Sequence, residues 1–143
     1  MKIGCLFTFL QAEAVKMADR NNCDFGFSFC FILTVEGPDE CGHQGDVDGK
    51  IFCLEQIDEL ILKPVLSYLK KSGKRYKILV MPDHYTPIRL RTHSADPVPF
   101  VLYDSENEQD YDGDRNFTEK SAEKGCIFEK GSDIAEAFLS EKI

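Results

Sequence analysis

Residues 24 to 35 read DFGFSFCFILTV, a run in which phenylalanine stands at every second position from 25 to 31. Alternation with a period of two indicates a β-strand, and its second half is apolar on both faces, as expected for a strand buried on both faces. The polar segment that follows, residues 36–49, contains four glycines and one proline and is predicted to be a loop.

A long helix and two further strands are predicted after that loop. Apolar residues recur at helical spacing over residues 51–71, and Pro64 is expected to kink or split this helix. The short apolar run at residues 77–81 predicts a buried strand, and residues 98–103 predict another.

Two shorter helices are predicted at the ends of the chain. One covers residues 10–21, and the other covers residues 133–142. In the second helix, four apolar residues share one face: Ile134, Ala137, Phe138 and Leu139.

The order strand, helix, strand predicts a βαβ unit with parallel strands. The loops after residues 35 and 82 then leave the same edge of the sheet, and open α/β sheets bind ligands at that edge. The next strand starts from this edge and is expected to run antiparallel. We therefore predict an α/β fold with a βαβ unit, parallel strands, one antiparallel strand and flanking helices.

The composition limits the class of protein. The 143 residues suffice for one domain with a core, and the net charge of −8 argues against nucleic acid as a partner. The sequence contains no run of 18 apolar residues, so no transmembrane helix is predicted. The six cysteines stand singly, which argues against a zinc finger or a redox dithiol and predicts a reducing cytoplasm. Gln11, Glu13 and Lys16 stand where the cleavage site of a signal peptide would need small residues.

All three histidines of the chain fall in the two loops at the predicted ligand-binding edge, and carboxylates stand near them in sequence. Imidazole nitrogen and carboxylate oxygen are suitable ligands for Zn²⁺, Mn²⁺ or Fe. The pattern therefore predicts a metal site whose five candidate ligands are Asp39, His43, Asp83, His84 and His93.

The arrangement of these ligands favours two ions over one. Adjacent side chains at a strand end point in opposite directions, so Asp83 and His84 can serve two neighbouring ions, or one ion if the backbone turns. Two close ions can clamp the attacking and leaving oxygens of a phosphoryl group. Five ligands do not fill two coordination shells, and no serine or threonine stands in a recognisable nucleophile setting. Part of the machinery is therefore expected outside this sequence.

Three strings carry a resemblance to a known family: VMPDHYTPIRLRTHSADPVPFVLY at residues 80–103, EGPDECGHQGDVDGK at residues 36–50 and NFTEKSAEKG at residues 116–125. They resemble the archaeal-type, cofactor-independent (2,3-bisphosphoglycerate-independent) phosphoglycerate mutases. These enzymes belong to the alkaline phosphatase superfamily, and bacterial members are also labelled proposed homoserine kinases. The resemblance spans residues 24–139, and residues 1–23 match poorly.

The resemblance implies how the chain is organised. Residues 1–143 would form a single incomplete domain, the C-terminal metal-binding part of an alkaline-phosphatase-like domain with a partial sheet. Tyr85 stands where a smaller residue is expected, which changes the local pocket. Without its partner strands, the sheet is expected to expose an edge that favours self-association.

The resemblance also implies a function. Asp39, His43 and His93 would hold one metal ion, and Asp83 with His84 would contribute to a second, so the implied cofactors are two divalent ions (Mn, Zn or Mg). The implied reaction is the glycolytic interconversion of 2- and 3-phosphoglycerate through a phosphoserine. The serine and a further aspartate ligand belong to segments that this sequence does not contain, so the chain alone is expected to be inactive. The alternatives are a related metal-dependent phosphotransferase or phosphohydrolase, homoserine kinase-like in substrate, and a non-catalytic metal-binding fragment.

Overall fold

A four-stranded sheet forms the centre of the computed structural model, which describes residues 6–18, 24–107 and 116–139. The strands are β1 (Leu6–Ala18), β2 (Asp24–Val35), β3 (Tyr76–Pro82) and β4 (Val101–Asp104). Their order across the sheet is β2-β1-β3-β4, and each neighbouring pair is antiparallel.

Helices connect and flank these strands. The helices are α1 (Gly37–Gln44), α2 (Val47–Ile57), α3 (Lys63–Ser72), α4 (Glu119–Ala122) and α5 (Gly131–Leu139). A single π-helical turn, Asp58–Leu62, joins α2 to α3. None of the described helices has the length and apolar character needed to cross a membrane.

The predicted crossover between two strands of the same direction is confirmed, but the two strands do not pair with each other. β2 and β3 are each antiparallel to β1, which lies between them, so they run in the same direction. Leu6 pairs with Val35 on one side and with Pro82 on the other, so the carboxyl ends of β2 and β3 lie level. The two strands are not neighbours because β1 lies between them and supplies each with an antiparallel partner.

Two elements differ in type from the prediction. Residues 10–18 belong to strand β1, where a helix was predicted, and residues 19–21 lie outside the described part. β1 pairs with a strand on each side, and such tertiary pairing overrides local propensity. The predicted loop at residues 36–49 contains α1 and the start of α2. Pro38 in the first turn suits a helix start, and Gly45 ends α1 in the left-handed conformation (φ 75°).

The long helix is interrupted where Pro64 predicted it. The π-helical turn immediately precedes α3, and Pro64 lies in the first turn of α3. Proline has no N–H to donate, and its ring crowds the carbonyl four residues earlier, so a widened turn accommodates it.

The last predicted elements are confirmed with different limits. β4 runs antiparallel to β3 but begins at Val101. Helix α5 ends at Leu139 within the described residues, and residues 140–142 lie outside them. Ile134 and Phe138 are buried as predicted, whereas Leu139 is exposed and does not share their face.

Helices cover both faces of β3. Ile78 packs with Leu69 of α3 on one face, and Leu79 packs with Ile134 and Phe138 of α5 on the other. Side chains alternate across a strand, so consecutive residues of β3 reach two separate clusters. The core therefore lies on both sides of β3.

Strand β2 departs from its predicted burial. Phe31 and Ile32 are adjacent in sequence, and 60% and 61% of their surfaces are exposed. Adjacent residues point to opposite faces, so both faces are open at this level of the strand. β2 is one of the two edge strands of the described sheet, and its described side chains reach the core through Val35, which packs near Ile57.

Candidate metal centre

Helix α1 places two candidate ligands on one face. It begins directly after β2, and it carries Asp39 and His43 one turn apart. Residues separated by four positions lie next to each other on a helix surface. The Nε2 atom of His43 lies 3.3 Å from Oδ2 of Asp39.

The loop after β3 brings His93 to the same point. The backbone N–H of Ser94 donates to the carbonyl of Tyr85 at 3.0 Å, which folds the loop back on itself. The Nε2 atom of His93 then lies 3.1 Å from Nε2 of His43 and 3.7 Å from Oδ1 of Asp39. Three ligand atoms from two separate segments therefore converge within 4.8 Å of one another.

The spacing and orientation of these atoms fit a divalent ion. Nitrogen ligands about 2.05 Å from a tetrahedral zinc lie about 3.3 Å from each other, close to the spacing seen here. The Nδ1–H of His43 donates to the carbonyl of Arg91 at 3.0 Å. This bond leaves the Nε2 lone pair directed at the centre, the arrangement common for metal-binding histidines.

The other predicted pair lies beside this cluster. The Nε2 atom of His84 is 3.2 Å from Oδ2 of Asp83, and its ring stacks on that of His93 with centroids 3.7 Å apart. The Nδ1 atom of His84 is 3.9 Å from Oδ1 of Asp39. The structure thus brings all five predicted residues together, and their role as ligands stays a prediction.

Two buried residues behind the centre were not predicted as part of it. The hydroxyl of Thr86 donates to Oδ1 of Asp39, and Nζ of Lys50 donates to the carbonyl of Thr86 at 2.9 Å. The side chains of Lys50 and Thr86 are completely buried. Lys50 closes the motif at residues 36–50, but nothing in the sequence marked Lys50 or Thr86 as buried behind the site.

Asp39 is held in its ionised form. Burial raises the pKa of Asp39. The hydrogen bond from Thr86 and the neighbouring histidines lower it by more than burial raises it, so the net pKa lies below the usual 3.8. A carboxylate is the form that binds cations, so Asp39 is ready to do so at neutral pH.

Tyr85 directly follows the candidate ligand His84 in the sequence. Its side chain is 3% exposed, so it belongs to the packed interior and not to an open pocket. Burial, the charges of Glu119 and Asp96, and a hydrogen bond with Glu119 raise the pKa of Tyr85 to about 12. Tyr85 therefore stays protonated and anchors the segment that contains Glu119.

Two thiols lie close together near the centre. Cys41 of α1 and Cys53 of α2 have Sγ atoms 4.0 Å apart, and both are free. Burial and the neighbouring thiol raise the pKa of Cys41, so it is a poor nucleophile and acts as packing between the two helices.

Comparison with known proteins gives one family and a set of relatives. Residues 11–142 match the family described as the Metalloenzyme superfamily. A 2,3-bisphosphoglycerate-independent phosphoglycerate mutase of Methanosarcina barkeri is 42% identical over 112 residues, which cover 78% of this chain and 28% of the relative. The enzymes of the same name from Methanosarcina acetivorans and Methanothrix thermoacetophila are 41% and 49% identical, over 72% and 49% of this chain and 26% and 18% of the relatives.

These matches confirm the resemblance that the three strings indicated. The chain spans about a quarter of the length of the Methanosarcina relatives. No solved structure matches the chain.

Proposed function

Since the chain belongs to the Metalloenzyme superfamily, we propose that Asp39, His43 and His93 together hold one divalent cation. The observation that carries the proposal is the convergence of their three ligand atoms, which come from α1 and from the loop after β3. We propose further that Asp83 and His84 contribute to a second divalent cation beside the first. The ions would be manganese, zinc or magnesium, each of which binds some of these nitrogen and oxygen ligands.

We propose that this centre serves phosphoryl transfer between the positions of phosphoglycerate, as the names of the relatives suggest. The whole reaction would interconvert 2- and 3-phosphoglycerate through a phosphoserine, in a domain with an alkaline-phosphatase-like sheet. Bound divalent cations would neutralise charge on the phosphoryl oxygens. The residues of this chain would hold the geometry: Thr86 keeps Asp39 ionised, and the carbonyl of Arg91 orients His43.

We propose that the 143-residue chain alone binds metal without turning over phosphoglycerate. The hydroxyl groups of Thr86 and Ser94 are candidate nucleophiles, because both residues stand within two positions of a candidate ligand in the sequence. That of Thr86 is completely buried and donates to Asp39, and that of Ser94 donates to Asp96 at 2.8 Å. Neither is placed to attack a phosphoryl group, which favours a metal-binding portion over a self-sufficient enzyme.

Calorimetric titration with Mn²⁺ and with Zn²⁺ tests the metal site. The unchanged chain should bind saturably, and His93→Ala should weaken binding by about tenfold or more because it removes one of three ligands. His93 is largely exposed, so this variant should still fold. Asp133→Asn, which removes an exposed carboxylate on α5, is the matched control and should bind like the unchanged chain. Equal affinities for the unchanged chain and His93→Ala would contradict the proposed site.

A coupled assay with 3-phosphoglycerate tests the proposed inactivity. No turnover is expected from the metal-loaded chain. The same preparation is assayed with ATP and homoserine for phosphotransferase activity. It is assayed with a simple phosphate ester for phosphohydrolase activity. Turnover of any of these by the chain alone would contradict the proposal that it only binds metal.

A further inference from the structure

We propose that Lys50 is a positioning residue that sets the geometry of the candidate metal centre by holding Thr86. The proposal rests on the proposed function, because a metal site at Asp39, His43 and His93 is its premise. Within the described residues Lys50 donates no hydrogen bond to these ligands, so it acts through another residue.

Lys50 occupies an unusual place for a lysine. Its side chain is completely buried, and Nζ donates to the carbonyl of Thr86 at 2.9 Å. Removing an ammonium group from water is strongly unfavourable unless its charge and its hydrogens find partners. Burial lowers the pKa of Lys50, and the negative charges of Asp39 and Glu119 offset part of this effect.

Thr86 transmits this contact to the candidate ligands. Its carbonyl accepts from Lys50, its hydroxyl donates to Asp39, and the same hydroxyl oxygen lies 3.2 Å from Nδ1 of His84. One residue is thus fixed at its backbone and reaches both groups of ligands with its side chain. Without the hydrogen bond from Lys50, the backbone of Thr86 could shift, and its hydroxyl would no longer be positioned to donate to Asp39.

Gly42 shows how tightly this contact is packed against α1. A Cβ atom at Gly42 would lie 2.9 Å from Nζ of Lys50 and 2.9 Å from both Cγ2 and the carbonyl oxygen of Thr86. The backbone of α1 therefore rests on the Lys50–Thr86 pair. Since α1 carries Asp39 and the loop after β3 carries Thr86 and His93, the Lys50–Thr86 pair sets the distance between the two halves of the centre.

The charge of Lys50 alone predicts the opposite effect of its removal on metal affinity from the effect that positioning predicts. A buried ammonium repels a nearby cation, and removing it would tighten metal binding if electrostatics were the main effect. If Lys50 acts by positioning, its removal weakens metal binding instead. The sign of the change in affinity separates the two.

The test compares metal binding by Lys50→Met and by the unchanged chain, using Zn²⁺ affinity and the visible absorption spectrum of bound Co²⁺. We expect Lys50→Met to weaken Zn²⁺ binding by about 10- to 100-fold, the range for residues that orient ligands. The Co²⁺ spectrum should change as well, because the ligand geometry changes. Measurements are made where circular dichroism shows each variant folded. If Lys50→Met does not fold, Lys50→Leu, which also lacks a hydrogen-bond donor, replaces it.

Lys77→Met is the matched control, because Lys77 is a second buried lysine. It lies five residues before the end of β3, or about 16 Å along the strand. This variant should lose stability but keep the Zn²⁺ affinity and the Co²⁺ spectrum.

Thr86→Val tests the link itself. It removes the hydroxyl but keeps the carbonyl, and in combination with Lys50→Met its effect on affinity should be less than additive. Additive effects would overturn the inference.

The outcomes separate the inference from its premise. If the unchanged chain binds Zn²⁺ and a folded Lys50 variant binds it as tightly or more tightly, the inference is overturned and the metal site stands. If the unchanged chain binds no divalent cation, the proposed metal site falls, and the inference falls with it.

Discussion

At the scale of single residues, the backbone of Arg91 holds the most constrained position near the centre. Its φ of 52° lies in the left-handed region, which costs a non-glycine residue about 1 kcal/mol. Its carbonyl accepts from Nδ1 of His43, and its N–H donates to the carbonyl of Pro87 at 3.0 Å. The local strain is therefore tied to the orientation of a candidate ligand.

Replacing Arg91 separates its backbone role from its side chain. Arg91→Gly should keep the turn and the metal affinity, with a change in unfolding free energy within about 1 kcal/mol. Arg91→Pro cannot adopt φ 52° and has no N–H to donate, so it should lower the affinity about tenfold or more. Urea unfolding and calorimetric titration measure the two effects. Equal metal affinity of Arg91→Pro and the unchanged chain would show that the carbonyl does not orient His43.

Gly42 gives a second prediction at this scale. Gly42→Ala would bring a methyl group within 2.9 Å of the carbonyl oxygen of Thr86, so α1 or the loop must shift. We expect a loss of about 1–3 kcal/mol in unfolding free energy, together with weaker Zn²⁺ binding. Gly131→Ala is the control, since a Cβ at Gly131 meets nothing within 4 Å, and it should change stability by less than about 0.5 kcal/mol. Unchanged stability of Gly42→Ala would contradict the tight packing described here.

At the scale of elements, the sequence predicted what local signals determine. β2, β3 and the interruption before α3 follow from alternation, an apolar run and Pro64, all of which act within a few residues. β1 and the order of the sheet were missed, because the pairing of β1 with β3, which lies far along the chain, leaves no local pattern.

The same distinction holds for the candidate site. Its five residues were named from their residue types and from their places after two strands. Lys50 and Thr86 were missed, because their importance comes from a contact across 36 positions of sequence. A buried lysine and an exposed one look alike in a sequence.

The pairing of β3 with β4 contains a buried pair of charges. Lys77 and Asp104 are register partners, with Nζ 3.9 Å from Oδ2, and Arg75 lies 3.2 Å from the same oxygen. Nζ of Lys77 has no hydrogen-bond partner in the described part of the chain. Asp104 is therefore the main compensation for the buried ammonium.

This pair predicts a dependence of stability on pH. Burial raises the pKa of Asp104, but the N–H of Glu106 and the charge of Arg75 lower it further, and the net pKa is below 3.8. A depressed pKa stabilises the fold above the unfolded value, and that contribution is lost as the pH falls through the folded value. Asp104→Asn should therefore cost about 3 kcal/mol at pH 7, and the difference from the unchanged chain should shrink below pH 3.8.

Urea unfolding at several pH values checks this prediction. Asp58→Asn is the control, because Asp58 forms an exposed ion pair with Lys63 that should contribute less than about 1 kcal/mol. A difference between Asp104→Asn and the unchanged chain that stays constant down to pH 2 would exclude titration of Asp104 as the cause.

At the scale of the whole molecule, the edge strand β2 predicts self-association. Residues 25–35 contain no charged residue and no proline, the features that usually protect an edge, and Phe31 and Ile32 are exposed on opposite faces. Ile32→Lys should shift the chain towards the monomer in light scattering after size exclusion. Ile127→Lys adds the same charge at another exposed isoleucine and should leave the association unchanged. A monomeric unchanged chain at all concentrations would contradict this prediction.

The level ends of β2 and β3 couple the centre to the strand between them. A cation bound by residues that follow β2 and by residues that follow β3 would link these two strands across β1. None of the three proposed ligands lies in β1. Separation of β1 from the sheet would then require release of the cation, so cation binding raises the free energy of opening β1. Amide protons of β1 should therefore exchange with solvent more slowly as the cation concentration rises.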